Sequence, residues 1–213
     1  MEMQSIQWTA KLQRLAANTA QDDGAHDLYH LDRVWQTAQI LLTSHPEADR
    51  LVVQAACFLH DLVNLPKNHP QRTQASRKAA CEARRQLETI DFPTEKLDAV
   101  VHAIEAHSFS AAIAPLTIEA ALVQDADRLD ALGAIGLARL FYTAGRMGSA
   151  LAHPTDPLAK HRTLDDQAFA LDHIAMKLDA LPGAMNTVAG QTLGYSRLRL
   201  AHTFRDQFAV EWV

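Results

Sequence analysis

A long apolar segment, residues 51–63, carries two ionisable side chains near its end, His60 and Asp61. If this segment is a helix, apolar residues occupy almost every face of it. Such a helix belongs at the centre of a bundle, where neighbouring helices cover every face. Burying a carboxylate beside an imidazole costs several kcal/mol unless both groups are paired or bound to a cation. The sequence therefore predicts a central helix with two polar groups whose burial needs compensation.

A divalent metal ion would provide that compensation, because neutral imidazole nitrogen and carboxylate oxygen are common ligands of such ions. Consecutive residues of a helix point about 100° apart, so His60 and Asp61 could share one ion only at the flank of their helix. Other helices would have to supply the remaining ligands. Two polar segments offer them, one with His30 and the other with Asp127.

Each of these residues also has a simpler interpretation. His30 alone would more often be a satisfied core or surface histidine, and Asp127 could cap a helix or pair with Arg128. His60 and Asp61 could form a buried, hydrogen-bonded couple. Taken together, the four residues favour a metal site over these separate explanations.

Helices are predicted throughout the chain, because apolar residues recur every three or four positions and strand-like alternation is almost absent. We predict an all-α protein in which seven or eight helices form one compact domain over residues 1–213. Pro46 suits the first turn of the central helix, Thr117 suits a helix cap, and Gly133 and Gly136 would let another helix approach closely. The predicted helices cover residues 4–18, a segment from His30 to about 44, and then 46–63, 74–89, 94–106, 118–144, 164–181 and 185–212.

Composition argues against several other classes of protein. The chain is 48% hydrophobic and 21% charged, which is ordinary for a globular domain, and its net charge of −5 with scattered basic residues is unlike a nucleic-acid surface. No stretch reaches the ~18 apolar residues of a membrane-spanning helix, and the first residues lack a secretory pattern. Cys57 and Cys81 are too few for a disulfide framework. We expect a cytoplasmic protein without nucleic-acid or membrane partners, and a homodimer if apolar helix surface is left over.

Three segments, in this order, resemble one known family. The pattern H-D-x-x-H-x-x-R-V begins at His26, L-H-D contains His60, and D-A-D-R-L-D-A contains Asp127. Together they resemble the HD-domain phosphohydrolase superfamily, most closely its small bacterial branch with nucleotide pyrophosphohydrolases. The likeness runs over residues 26–146 and, more weakly, to 211.

The resemblance implies one divalent cation, with Mn²⁺ (manganese) expected first and Mg²⁺, Co²⁺, Ni²⁺ or Fe²⁺ as alternatives. Its implied ligands are His30, His60, Asp61 and Asp127, and Asp125 is a second candidate in the last segment. The implied activity is hydrolysis of a phosphate ester or anhydride of a nucleotide. Either a (deoxy)nucleoside triphosphate would give monophosphate and pyrophosphate, or a terminal phosphate would be removed. A bound cation would acidify water and neutralise phosphoryl charge.

A phosphorylated substrate needs cationic or hydrogen-bonding partners. Several basic residues follow the central helix directly in the loop 64–72, which favours a phosphate-binding loop over ordinary surface charge. Each basic residue could still be a plain surface residue. The candidates for substrate binding are Arg33, Lys67, His69, Arg72, His107 and Arg128.

The catalytic candidates are Asp61, His107 and Asp130. Related hydrolases carry an acid three residues after the His-Asp pair to orient the attacking water, but this chain has Asn64, which cannot accept a proton in that role. Either no separate base is needed, or Asp130, Glu105 or His107 substitutes. We favour His107 as a phosphate contact or proton donor and interpret His102 as structural.

Two other functions are compatible with the same residues. Some relatives use two irons to oxidise C–H or C–P bonds, and His102 and His107 would then be extra ligands. The other is a metal- and nucleotide-binding regulator without turnover. The complete ligand quartet favours the hydrolase over both.

Overall fold

The computed structural model describes residues 2–17, 28–63, 65 and 69–212. Over these residues the chain is all-α, and the prediction of that class is confirmed with one helix more than the seven or eight expected. The only β-type pairing among them is an isolated parallel bridge between Ala150 and Phe169. The helices are α1 Glu2–Ala17, α2 Leu28–Leu42, α3 Arg50–Leu59, α4 Ala75–Glu88, α5 Leu97–His107, α6 Ile118–Leu129, α7 Gly133–Met147, α8 Asp172–Met176 and α9 Val188–Glu211.

The chain divides into two compact units, Met1–Asp127 and Arg128–Val213. The prediction that they form a single domain stays a prediction. His26, Asn64 and Lys67 lie outside the described residues, so the structure gives no account of them. None of the described helices combines the length and the apolar character that crossing a membrane would require.

In the first unit, α3 is the central helix, as its apolar pattern predicts. It packs against α1, α2, α4 and α5. Every residue from Val52 to Leu59 is buried. This helix therefore places the residues that directly follow Leu59 among four neighbouring helices.

The bounds of α3 differ from the predicted 46–63 at both ends. It begins after Asp49, whose carboxylate accepts hydrogen bonds from the backbone N–H groups of Leu51 and Val52 at 3.0 and 3.3 Å. The side chain of an N-cap residue decides where a helix starts, so Pro46 lies in the preceding turns. At the other end the helix stops at Leu59 with His60 as its C-cap, and Asp61 lies in the turn beyond. Asp61 is therefore less buried than a place inside the helix would have made it.

Replacing Asp49 by alanine is expected to lower the free energy of unfolding by about 1 kcal/mol, because two helix N–H groups lose their acceptor. Asp49 also pairs with Lys96. Asp49→Asn is the matched control, since asparagine retains an oxygen acceptor and caps helices about as well. Urea unfolding of both variants measures the difference. An alanine variant as stable as the wild type would contradict this role for Asp49.

The predicted helix over 118–144 is wrong, because it is broken into α6 and α7. α6 starts after Thr117, whose hydroxyl accepts from the Ala120 N–H at 3.2 Å as predicted for a cap. Gly133, the first residue of α7, has a φ of 76°, a left-handed conformation that side-chain-bearing residues rarely adopt. A Cβ on Gly136 would lie 2.2 Å from the Ala131 carbonyl oxygen. Gly136 therefore serves the turn between α6 and α7. Gly133 lies against α9, where an added Cβ would be 3.6 Å from Arg197, in agreement with the predicted close approach of another helix.

The predicted helix over 164–181 is also wrong. In the second unit this stretch contains only the short α8, followed by the 3₁₀ turns Leu178–Ala180 and Pro182–Ala184. The Asp172 carboxylate, buried at the start of α8, binds the Arg162 guanidinium through two hydrogen bonds of 2.6 and 2.7 Å. This pairing holds the preceding loop against α8, so the loop follows a tertiary contact that local helix propensity does not encode.

Candidate metal centre

Four side chains from α2, the end of α3 and α6 converge in the first unit. The His30 Nε2 atom lies 3.3 Å from His60 Nε2 and 3.4 Å from Asp127 Oδ1. The His60 Nε2 atom lies 3.6 Å from Asp61 Oδ2 and 3.7 Å from Asp127 Oδ1. The distance from His30 Nε2 to Asp61 Oδ2 is 3.9 Å. The structure thus brings together the whole quartet that the sequence proposes as metal ligands.

These separations fit donors arranged around one cation. Donor atoms ~2.1 Å from an octahedral ion are ~3.0 Å apart when adjacent and ~4.2 Å apart when opposite. Five of the six pairs among the four donors, at 3.3 to 3.9 Å, fall between these limits. Two imidazole nitrogens and two carboxylates also form a donor set that divalent ions accept. The residues present therefore fit a divalent metal ion.

Exposure differs between the two kinds of donor. His30 and His60 are each only 1% exposed. The side chains of Asp61 and Asp127 are 23% and 27% exposed. The imidazoles are therefore embedded in the helices, while the carboxylates are partly exposed to solvent.

The electrostatics of the quartet favour the protonation states that bind metal. Burial lowers the pKa of His60, against the opposing effect of the nearby carboxylates, so its imidazole is held neutral. Burial alone would raise the pKa of Asp61 and of Asp127. The facing histidines outweigh this effect of burial and lower both pKa values. The largest lowering effect comes from the charge of His60 for Asp61, and from the hydrogen bond with His30 for Asp127. Neutral imidazole and ionised carboxylate are the ligand forms.

A backbone hydrogen bond fixes the ring of His60. Its Nδ1 lies 2.9 Å from the carbonyl oxygen of Cys57, three residues earlier in α3. A carbonyl oxygen can only accept, so Nδ1 carries the proton and the Nε2 lone pair of the neutral ring points into the quartet. Metal-binding histidines nearly always donate their other N–H in this way.

A fifth side chain, His107, joins the same cluster from the last turn of α5. It is 8% exposed, and its Nε2 atom lies 3.9 Å from Asp61 Oδ1. Its ring centroid is 4.8 Å from that of His60. With His60 and Asp127 it forms a second group whose donor atoms lie within 4.8 Å of one another. The sequence suggested a ligand role for His107 only in the di-iron interpretation, and no spacing signal placed it beside Asp61.

Other residues near these motifs have different surroundings. Asp125 is fully buried on α6, and among the described residues the donor groups include Asp127 and not Asp125. His102 accepts the backbone N–H of Leu116 at 2.9 Å through Nε2, which agrees with a structural role.

Besides His107, three described candidates for phosphate contact lie in the first unit. Arg33 is half-buried on α2, one turn after His30. His69 Nδ1 accepts the Gln71 N–H at 3.1 Å. Arg72 donates to the Leu65 carbonyl oxygen and so ties together the two ends of the loop after α3. Their roles in substrate binding stay predictions.

Two further candidates belong to the second unit. Arg128 donates to the Ala184 carbonyl oxygen at 2.8 Å. Asp130 is 4% exposed, and its carboxylate binds Arg139 at 2.6 Å. Neither proposed role is tested by these contacts.

Comparison with known proteins identifies the family. The family model for the HD domain matches residues 27–132. The YpgQ protein of Bacillus subtilis (strain 168) is 34% identical over 191 residues, which cover 88% of this chain and 82% of YpgQ. This chain belongs to the HD-domain family. The resemblance seen in the three sequence motifs is thereby confirmed.

Similar solved structures agree with this membership. The crystal structure of B. subtilis YpgQ in complex with ADP superposes with a TM-score of 0.74 at 30% identity, covering 97% of this chain and 95% of that one. An HD-superfamily hydrolase from Bacillus thuringiensis gives 0.72 at 32% identity, covering 96% of each chain. Both cover nearly the whole chain, so the similarity in fold extends beyond the residues that the family model matches.

Proposed function

We propose that this HD-domain protein is a metal-dependent phosphohydrolase that acts on a nucleotide. The observation that carries the proposal is the convergence of His30, His60, Asp61 and Asp127 at distances that suit one divalent ion. The partial exposure of the two carboxylates adds the access that a substrate needs. The similar YpgQ structure holds ADP, which supports a nucleotide as the substrate class.

The quartet would hold the cation, with Mn²⁺ expected first and Mg²⁺, Co²⁺, Ni²⁺ or Fe²⁺ as alternatives. When bound, such an ion supplies a Lewis acid that polarises a phosphoryl group and makes water more acidic. The protein supplies the geometry. The Cys57 carbonyl fixes the ring of His60, and Asp61 and Asp127 bring the negative charge that retains a cation.

The proposal also specifies which bond of the nucleotide is cleaved. We favour cleavage of a (deoxy)nucleoside triphosphate to monophosphate and pyrophosphate, with removal of a terminal phosphate as the alternative. Phosphate oxygens would then need cationic partners close to the quartet. Arg33 is proposed first because it lies one turn from His30 on α2. Lys67, His69, Arg72 and Arg128 remain the other proposed contacts.

A nucleotide panel assayed with Mn²⁺ tests the proposal. We expect turnover that depends on the added ion and stops with a chelator, with pyrophosphate as the product from triphosphates. Separate detection of phosphate and pyrophosphate identifies the bond. A protein that demonstrably holds Mn²⁺ but turns over no phosphorylated compound would refute the hydrolase function and favour the regulator.

A further inference from the structure

We infer that His107 is a fifth protein donor to the cation, bound through Nε2. This inference rests on the metal binding proposed above and adds a third imidazole to it. It also replaces, for His107, the phosphate contact or proton donor that the sequence alone favours. Three features of the side chain carry it: its backbone hydrogen bond, its distance to Asp61 and its burial.

The backbone hydrogen bond of His107 repeats that of His60. The His107 Nδ1 atom lies 2.6 Å from the carbonyl oxygen of Ile104, three residues earlier in α5. His60 makes the same bond to Cys57 at 2.9 Å, also three residues earlier. Each histidine stands at the C-terminal end of its helix, and each directs Nε2 away from that helix. A partner carbonyl on the far nitrogen is the usual support of a metal-binding imidazole.

The same hydrogen bond argues against a phosphate contact. Because the Ile104 carbonyl can only accept, Nδ1 carries a proton, and a neutral ring in that tautomer has only a lone pair at Nε2. A lone pair suits a cation, whereas a phosphate oxygen needs a donor. The chemistry that His107 offers at this position is therefore that of a ligand.

The two oxygens of Asp61 face different histidines. Oδ2 lies 3.9 Å from His30 Nε2 and 3.6 Å from His60 Nε2, whereas Oδ1 lies 3.9 Å from His107 Nε2. His107 therefore approaches the carboxylate from the side that the other two imidazoles leave open. Its donor atom also lies within 4.8 Å of those of His60 and Asp127.

Burial adds to the geometry. His107 is 8% exposed, so most of its ring is enclosed by the protein beside the other donors of the cluster. A cation there would be bound by a side chain that is already held in place.

Mn²⁺ titration and pulsed electron paramagnetic resonance of the whole protein test the inference. In the wild type we expect one ion per chain with three directly bound imidazole nitrogens. In His107→Asn we expect two nitrogens and a Kd for Mn²⁺ at least about tenfold higher, since even supporting groups of metal sites change affinity by that much. Neither readout depends on turnover.

His102→Asn is the matched control, because His102 lies on the same helix and binds the Leu116 N–H. It should leave the Kd and the nitrogen count unchanged. If His107→Asn does not fold, the nitrogen count of the wild type decides alone. Two bound nitrogens in a protein that takes up one ion would overturn the inference and leave the proposed function intact. Two ions per chain would also overturn it, because His107 would then belong to a second ion. A wild type that binds no divalent ion would end both proposals.

Discussion

Asp61→Ala is expected to abolish nucleotide turnover, with a fall in kcat/KM of about a thousandfold or more. The reason is that Asp61 contributes negative charge and a donor oxygen to the cluster that is proposed to hold the cation, and the cation supplies several kcal/mol of charge stabilisation to phosphoryl transfer. Each 1.4 kcal/mol lost corresponds to about tenfold in rate. The Asp61 carboxylate also lies within 3.9 Å of the Nε2 atoms of all three histidines.

Two measurements are needed for the Asp61 variant. Turnover of a nucleoside triphosphate gives the rate, and Mn²⁺ titration reports whether the ion is lost. Asp98→Ala is the control, because Asp98 is a highly exposed carboxylate that pairs with Arg84 on the surface, and we expect it to change neither quantity. An Asp61 variant that keeps most of its turnover would refute the assignment of this carboxylate to the site.

Asp172→Ala is expected to lower the free energy of unfolding by about 3–5 kcal/mol, because it leaves one member of a buried ion pair without its partner. The Asp172 carboxylate is 2% exposed and accepts from both terminal nitrogens of Arg162 and from the Asp165 N–H at 2.7 Å. A loss of this size is a large part of the 5–15 kcal/mol that typically stabilises a protein.

Urea unfolding followed by tryptophan fluorescence measures the effect. Trp212 is a suitable reporter, because its indole N–H donates to the carbonyl oxygen of His153 in the same unit. Asp166→Ala is the control. Asp166 pairs with His173 in a more exposed place, so about 1 kcal/mol or less is expected. If the Asp172 variant loses no more than the control, the pairing with Arg162 does not hold the loop.

The position of α3 could be predicted from the sequence, whereas its ends could not. Apolar residues on every face leave a helix no stable place except among other helices. Its ends, however, are set by local hydrogen bonds. The Leu51 and Val52 N–H groups donate to Asp49 at the start, and the His60 ring donates to the Cys57 carbonyl oxygen at the finish. Pro46 and Pro66 are strong signals in the sequence, but they only limit how far a helix can extend.

The candidate site could likewise be predicted only in part. His30, His60, Asp61 and Asp127 were predictable because three motifs resemble those of one family. The place of His107 was not, since it depends on where α5 ends relative to α3, a spatial relation between segments that spacing along the chain does not express. The loop before α8 escaped prediction for a similar reason, because a buried ion pair determines its course.

The partial exposure of the Asp61 and Asp127 carboxylates has a consequence for metal selection. An ion held by such an accessible quartet can be replaced by another ion from the surrounding medium. Nitrogen and oxygen donors bind first-row divalent ions in a fixed order of affinity, which the protein does not set. The occupant would then be decided by the supply of free ions in the cell. Preparations grown in media with different trace elements would accordingly carry different ions on an identical polypeptide.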